Sequence, residues 1–139
     1  MSKTLAIIKP DAVKNRNQGK IIDLILRPGG KFKHYNILGM KQLVMTMDEA
    51  QEFYKEHSER PFFKDLCEFM TSGPCIVMVL GSLNNPVQQW REFIGNTDPA
   101  KALPGTIRSL FGTSIDYNAV HGSDSEEAAA REIEFFFGK

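Results

Sequence analysis

Residues 118–125 read "NAVHGSDS" and carry the histidine best placed for chemistry. Glycine and serine follow His121 and leave space beside its ring. Ser123 and Asp124 are good helix N-caps. Ser123-x-x-Glu126 has the form of a capping box, in which hydroxyl and carboxylate pair with each other's orphan amides. The spacing predicts a helix from Ser123. His121 then lies just before that helix, beside free N–H groups and the positive end of its dipole. Two readings fit: a turn histidine ahead of a capped helix, or an accessible nucleophile or general base kept neutral by the helix end.

Other polar residues fall near turns and element ends. Lys9 closes an apolar run beside "PDAV", and Arg60 sits in "ERPFF". Arg91 precedes "GNTDP", which carries Thr97, and Arg108 belongs to "PGTIR". Each cation alone reads as a solvated surface charge. Gathered with Thr97 and Asn118 around one imidazole, they suit a polyphosphate: arginine supplies bidentate forks, lysine a point charge and threonine a short donor. The chain has no Walker G-x-x-x-x-G-K-[ST] loop and no H-R-D or D-F-G set. Phosphate chemistry here needs another device.

The elements that must position these residues can be read from apolar runs and breakers. Residues 4–9, "TLAIIK", form a buried strand ending at Lys9, because the residue before Pro10 prefers an extended backbone. A helix runs from Asp11 to Leu26, with Ile21, Ile22, Ile25 and Leu26 inward. "RPGGKFKHYN" breaks it, and residues 37–45 read as a second strand. Thr46 and Glu49 form a capping box, followed at helical spacing by Ala50, Phe53, Tyr54 and His57. Pro61 opens another helix, with Phe62, Phe63, Leu66, Phe69 and Met70 apolar. "CIVMVL" is a central strand, and residues 86–94 form a helix ended by Gly95. Residues 96–117 read as a long irregular segment, a length that usually carries function. A short strand through Val120 and the last helix, with Ala129, Ile133, Phe136 and Phe137 inward, complete the order. That order is β-α-β, helical hairpin, β-α-β: an α+β, ferredoxin-like split βαβ fold, with an antiparallel sheet, helices on its faces and one inserted helical hairpin.

The 139 residues suit one domain over 1–139. Lys+Arg and Asp+Glu number 17 each, so the net charge is zero, which disfavours a dedicated nucleic-acid binder. The longest strongly apolar run, residues 75–80, is too short to span a membrane. Cys67 and Cys75 have no metal-ligand spacing and read as buried reduced thiols. With an N-terminus unlike a signal peptide, this gives a cytoplasmic expectation.

"TLAIIKPDAV", "ERPFF", "SGP", "GNTDPAKALPGTIR" and "NAVHGSDS", in this order, resemble the nucleoside diphosphate kinase family from about residue 3 to 137. The resemblance implies transfer of the γ-phosphate of a nucleoside triphosphate to a nucleoside diphosphate, by a ping-pong route through phosphohistidine and with low base selectivity. By position, His121 would be the nucleophile. Lys9, Arg91, Thr97, Arg108 and Asn118 would hold phosphates and ribose, and Phe62, Leu66 and Ile115 would pack the base. Tyr54 and Glu132 would help position the histidine, with Ser123 supporting Glu132. Mg2+ would enter on the nucleotide, with no metal ligand from the protein. Similar enzymes are homo-oligomers, built from dimers into tetramers or hexamers.

Three departures from the family pattern stand out. Ser109-Leu110 replaces the usual Gly-Asp after "PGTIR". The stretch between Asp11 and Tyr54 is a few residues longer, with the excess at 27–35. The chain stops at "FFFGK", without the C-terminal arm of longer members. These bear on assembly more than on chemistry. The alternative reading is a catalytically silent member that binds nucleotides or partners. A ferredoxin-like RNA-binding module would need exposed strand aromatics and a basic face. A phosphocarrier without nucleotide specificity would not need Phe62 and Asn118.

Overall fold

A computed structural model describes residues 2–27 and 35–138. Four strands form one antiparallel sheet: β1 (Ser2–Ile8), β2 (Asn36–Leu43), β3 (Cys75–Ser82) and β4 (Val120–Gly122). Their order is β2-β3-β1-β4. This is the split βαβ arrangement expected for a ferredoxin-like fold. β3, which holds the apolar run, is buried along all eight residues, as an interior strand covered on both faces must be.

Strand periodicity divides the core in two. Ala6, Ile8, Ile76, Met78 and Leu80 face one side, against Ala12, Ile21, Ile25, Trp90, Ile94 and Ile107. Leu5, Ile7, Cys75 and Val77 face the other, against Ala50, Tyr54, Cys67, Met70 and Phe136. The first face carries α1 (Pro10–Lys14), α2 (Gln18–Leu26), α5 (Pro86–Ile94) and α6 (Ile107–Phe111). The second carries α3 (Met47–Phe53), α4 (Phe63–Met70) and α7 (Glu126–Phe137). His121 pairs with Ile7 across β1/β4, so its side chain faces the second side, toward α3 and α7.

Several boundaries differ from the sequence expectation. The first strand ends at Ile8; Lys9 keeps the extended backbone that Pro10 demands and opens α1 instead. The expected long helix is two helices, because the chain turns at Arg16 with a left-handed φ of 61°. Ile21 and Ile25 are buried, but Leu26 is exposed. The second strand runs over Asn36–Leu43; of the excess placed at 27–35, residues 28–34 lie outside the described residues. Pro61 and Phe62 precede α4, which begins at Phe63. The Thr46/Glu49 capping box forms, at 3.1 and 2.9 Å. Residues 96–117 are not wholly irregular: they hold a short 3-10 turn at Pro99–Lys101 and α6, capped by Thr106.

The largest correction concerns the last helix. It begins at Glu126, and its N-cap is Ser125, whose side chain accepts from the Ala128 amide at 3.0 Å. Ser123 is fully buried under β1 and bonds elsewhere. Three serine or aspartate residues in a row offer several equivalent local caps, and burial of Ser123 against the sheet decides among them.

Candidate active site

β4 sets the centre of the site. Ser123 follows His121 by two residues, so both point to the α7 side of the sheet. Glu132, on the inner face of α7, meets both: its Oε1 lies 2.8 Å from His121 Nε2 and accepts from Ser123 Oγ at 2.8 Å. A carboxylate oxygen is acceptor only, so Nε2 carries the proton and Nδ1 keeps its lone pair. The His121 side chain is 18% exposed and Glu132 11%, so the imidazole can be reached while its anchor is nearly dry. The helix-end expectation for His121 is thus replaced by a specific partner, a carboxylate in the second turn of α7.

A second cluster comes from the β1–α1 junction. Lys9 Nζ donates to Asn118 Oδ1 at 3.0 Å, and Asn118 Nδ2 donates to the Thr97 carbonyl at 3.1 Å. Ala119, between Asn118 and β4, has φ 75°, a left-handed backbone that costs a non-glycine residue about 1–2 kcal/mol. Both of its peptide groups are held: its amide donates to Asp11 Oδ2 at 3.0 Å, and its carbonyl accepts from the Lys9 amide at 2.8 Å. This bend turns the chain from Asn118 into β4. Strain of this kind persists where surrounding bonds enforce it.

Arg108 supplies a third element. It is buried on α6 and donates to the Gly95 carbonyl at 3.0 Å and the Val120 carbonyl at 2.8 Å. Gly95 has φ 90°, and a Cβ there would lie 2.6 Å from Thr106 Oγ1, so only glycine fits this helix end. Burial, and secondarily the cation of Arg91, pull the Arg108 guanidinium down to about 10. Burial, then Arg108, pull the Lys9 ammonium down to about 8. The two cations therefore repel each other in a poorly solvated space, where an anion is favoured.

The sequence-derived residues divide clearly. His121, Glu132 and Ser123 are bonded together; Lys9, Asn118 and Thr97 are bonded together, with Thr97 contributing its carbonyl. Arg91 and Arg108 interact electrostatically. The Tyr54 hydroxyl is buried without a hydrogen-bond partner among the described residues. Burial pushes its phenol up, with the charges of Cys75 and Glu132 adding. Phe62 is 46% and Ile115 57% exposed, and Leu66 is half-buried on α4. Phe62 packs on the His57 ring, with ring centroids 5.6 Å apart. Arg60 is exposed and contributes backbone bonds to its turn. A cavity of about 1280 Å³ is lined by Arg91, Gly95 and Thr106 but not by His121. Among the described residues no group of three or more His, Cys, Asp or Glu is placed to hold a metal.

Three neighbours of the histidine escaped sequence reasoning. Phe53 stands edge-on to the His121 ring at 5.6 Å, Asp11 holds Ala119, and Trp90 Nε1 donates to the His121 carbonyl at 3.1 Å. "KPD" signalled Asp11; Phe53 and Trp90 read simply as apolar helix positions.

On this ferredoxin-like sheet, a carboxylate-anchored imidazole and buried cations are gathered around the short strand β4. The nucleoside diphosphate kinase family model matches residues 2–139. The nucleoside diphosphate kinase of Geotalea uraniireducens is 51% identical over 100% of this chain and 97% of its own. That of Helicobacter hepaticus is 54% identical over 99% and 96%. The solved nucleoside diphosphate kinase of Aquifex aeolicus superimposes with a TM-score of 0.89, at 43% identity, over 98% of this chain and 94% of its own. That of Encephalitozoon cuniculi gives 0.91, at 34% identity, over 100% and 90%. The chain belongs to the nucleoside diphosphate kinase family, and its activity is phosphate transfer between nucleotides. The catalytically silent alternative is not favoured.

Proposed function

We propose that His121 carries the phosphate in a two-step exchange. The supporting observation is the 2.8 Å contact of Nε2 with Glu132, which leaves Nδ1 as the free lone pair. In the first half-reaction Nδ1 attacks the γ-phosphorus of a nucleoside triphosphate. An N–P bond forms, the β–γ bridging P–O bond breaks, and the diphosphate leaves with the electron pair. In the second, a terminal oxygen of a different diphosphate attacks the phosphohistidine and Nδ1 recovers its lone pair. No proton needs to move: Nε2–H stays on Glu132, whose charge stabilises the partly cationic ring during transfer. Ser123, donating to the same Oε1, holds that carboxylate in place.

Lys9, Arg91 and Arg108 offset the charge of the transferring group, and Asn118 and Thr97 orient phosphate and ribose. Tyr54, whose hydroxyl has no partner among the described residues and feels the charge of Glu132, completes the histidine's surroundings. The exposed face of Phe62, with Leu66 and Ile115, stacks on the base. Stacking carries no hydrogen-bond code, so base selectivity is low. Mg2+ would be held by the nucleotide's phosphates rather than by a protein ligand cluster, since Glu132 and Asp11 are engaged with His121 and Ala119, and it would neutralise charge on the polyphosphate. The proposal is tested by initial rates with ADP, GDP, CDP and UDP as acceptors. Parallel double-reciprocal lines for all four, with kcat/KM within about a hundredfold, are expected; intersecting lines would reject the two-step route.

Lys9 gives a pH dependence. Its ammonium is lost from the free enzyme as pH rises through about 8. Because kcat/KM reports the free enzyme, it should fall above about pH 8, while kcat, measured with phosphates beside the ammonium, persists to higher pH. Stability moves the opposite way. The folded pKa of about 8 lies below the ordinary 10.5, so the unfolded chain binds more protons between those values. The cost of burying the ammonium is full below pH 8 and is relieved as pH rises through that window. A kcat/KM flat to pH 10 would contradict the assignment.

We further infer a cytoplasmic homo-oligomer built on a dimer, as a tetramer or hexamer. No helix among the described residues is long and apolar enough to cross a membrane. Both cysteines are free, which fits a reducing compartment; recovery in the membrane or secreted fraction would oppose it. Leu38 and Met40 on the outer strand β2, and Leu103 and Leu110 on the 96–117 segment, are exposed apolar residues suited to subunit contact. Light scattering should give a mass well above the 15.7 kDa chain; a monomer at micromolar concentration would refute it.

A further inference from the structure

Trp90 is the chain's one tryptophan and is fully buried on α5. Its indole N–H donates to the backbone carbonyl of His121 at 3.1 Å. Its ring also presses on the next residue: a Cβ at Gly122 would lie 2.8 Å from Trp90 Cδ1 and 3.1 Å from Ile94 Cδ1, so Gly122 has no room for a side chain. The indole is itself wedged edge-on by Tyr35 at 6.0 Å and Phe93 at 5.8 Å.

This contact falls at a weak point of the sheet. β4 has three residues and is the outer strand, paired among the described residues on one side only, with β1. Short edge strands open easily, yet this one holds the ring that must meet a phosphate in line. Glu132 and Phe53 fix the imidazole end of His121; Trp90 holds its backbone end. The same helix carries Arg91 and ends at the Gly95 carbonyl that receives Arg108. One helix thus ties the histidine's strand to two of the cations.

We propose that Trp90 is a positioning residue for phosphoryl transfer: its N–H fixes the His121 peptide, so the imidazole is aimed before substrate binds. The inference rests on His121 being the phosphate carrier. Its effect falls equally on both half-reactions, because both use the same ring. Loss of the N–H therefore lowers kcat and leaves KM unchanged.

The sole tryptophan can be replaced biosynthetically with β-(3-benzothienyl)alanine, which puts sulfur where the N–H stands and keeps the ring's shape. Trp90→Phe provides a genetically encoded second variant. Expected is a native circular dichroism spectrum and melting temperature in the analogue protein, unchanged KM, and kcat lower by about three- to tenfold, the size of one hydrogen bond. Wild-type kcat in either folded protein overturns the proposal. Loss of fold, or a rise in KM matching the loss of kcat, assigns the indole to packing alone and also overturns it. Wild-type protein incubated with γ-labelled ATP runs alongside: absent label there indicts the histidine assignment, whereas label there with wild-type kcat in the analogue indicts Trp90 alone.

Discussion

His121→Ala should lose at least about 10⁴-fold in turnover while remaining folded and able to bind nucleotide. The size follows from removing a nucleophile rather than weakening a contact. Retention of the fold follows from what the substitution leaves intact. Ser123 still donates to Glu132, the β1–β4 pairing is made by backbone, and Trp90 bonds a carbonyl that alanine also has. Nucleotide affinity should change only a fewfold, because Lys9, Arg91, Arg108 and Asn118 remain. Turnover in a coupled assay and affinity by equilibrium binding separate these outcomes. A folded variant within a hundredfold of wild-type turnover would remove His121 from the mechanism.

Arg108→Ala should be the most damaging change among the cations, because Arg108 does two things at once. Its side chain satisfies the Gly95 and Val120 carbonyls, one closing α5 and the other starting β4. Deleting it leaves two carbonyls without their donors, at about 1–3 kcal/mol each. Relief of a buried cation held near another offsets part of this, for a net loss of about 2–4 kcal/mol. The charge lost to the transferring phosphate comes in addition, so kcat/KM should fall by roughly 10²- to 10³-fold. Arg108→Lys should restore little, since one ammonium cannot present a planar fork to two carbonyls. Thermal unfolding and kcat/KM measured together check this. An unchanged melting temperature with kcat/KM within threefold would contradict both roles.

What could be read from residues alone follows a physical rule: local signals succeeded where local energy decides. Thr46 with Glu49 formed its capping box, and the α5 span with its Gly95 terminus matched, because proline, caps and glycine act over a few residues. The apolar run of β3 could only be an interior strand. Ser123 failed because its local merit as a cap lost to a distant requirement, the bond to Glu132 nine residues on and burial against β1. The long first helix failed because nothing local to Arg16 announces a left-handed turn. Trp90 and Phe53 were invisible as site residues for a related reason. Apolar side chains at helical spacing read as core, and both are core; their contact with His121 spans 31 residues for Trp90 and depends on how α3 and α5 dock on opposite faces of the sheet. That Lys9 meets Asn118, and that Arg108 bonds the strand residue beside His121, could be anticipated because polar residues beside turns at the ends of neighbouring elements converge on one edge of the sheet.

The central claim is that a covalent phosphate passes through His121. The direct measurement is to incubate the protein with γ-labelled ATP and magnesium in the absence of any diphosphate, then separate protein from nucleotide. Expected is label that stays with the protein, survives alkali, is released by acid, and discharges onto added GDP or CDP. His121→Ala should take none. Wild-type protein that binds ATP yet takes no label, or label that is stable to acid and therefore resides on a hydroxyl such as Ser125, would contradict it.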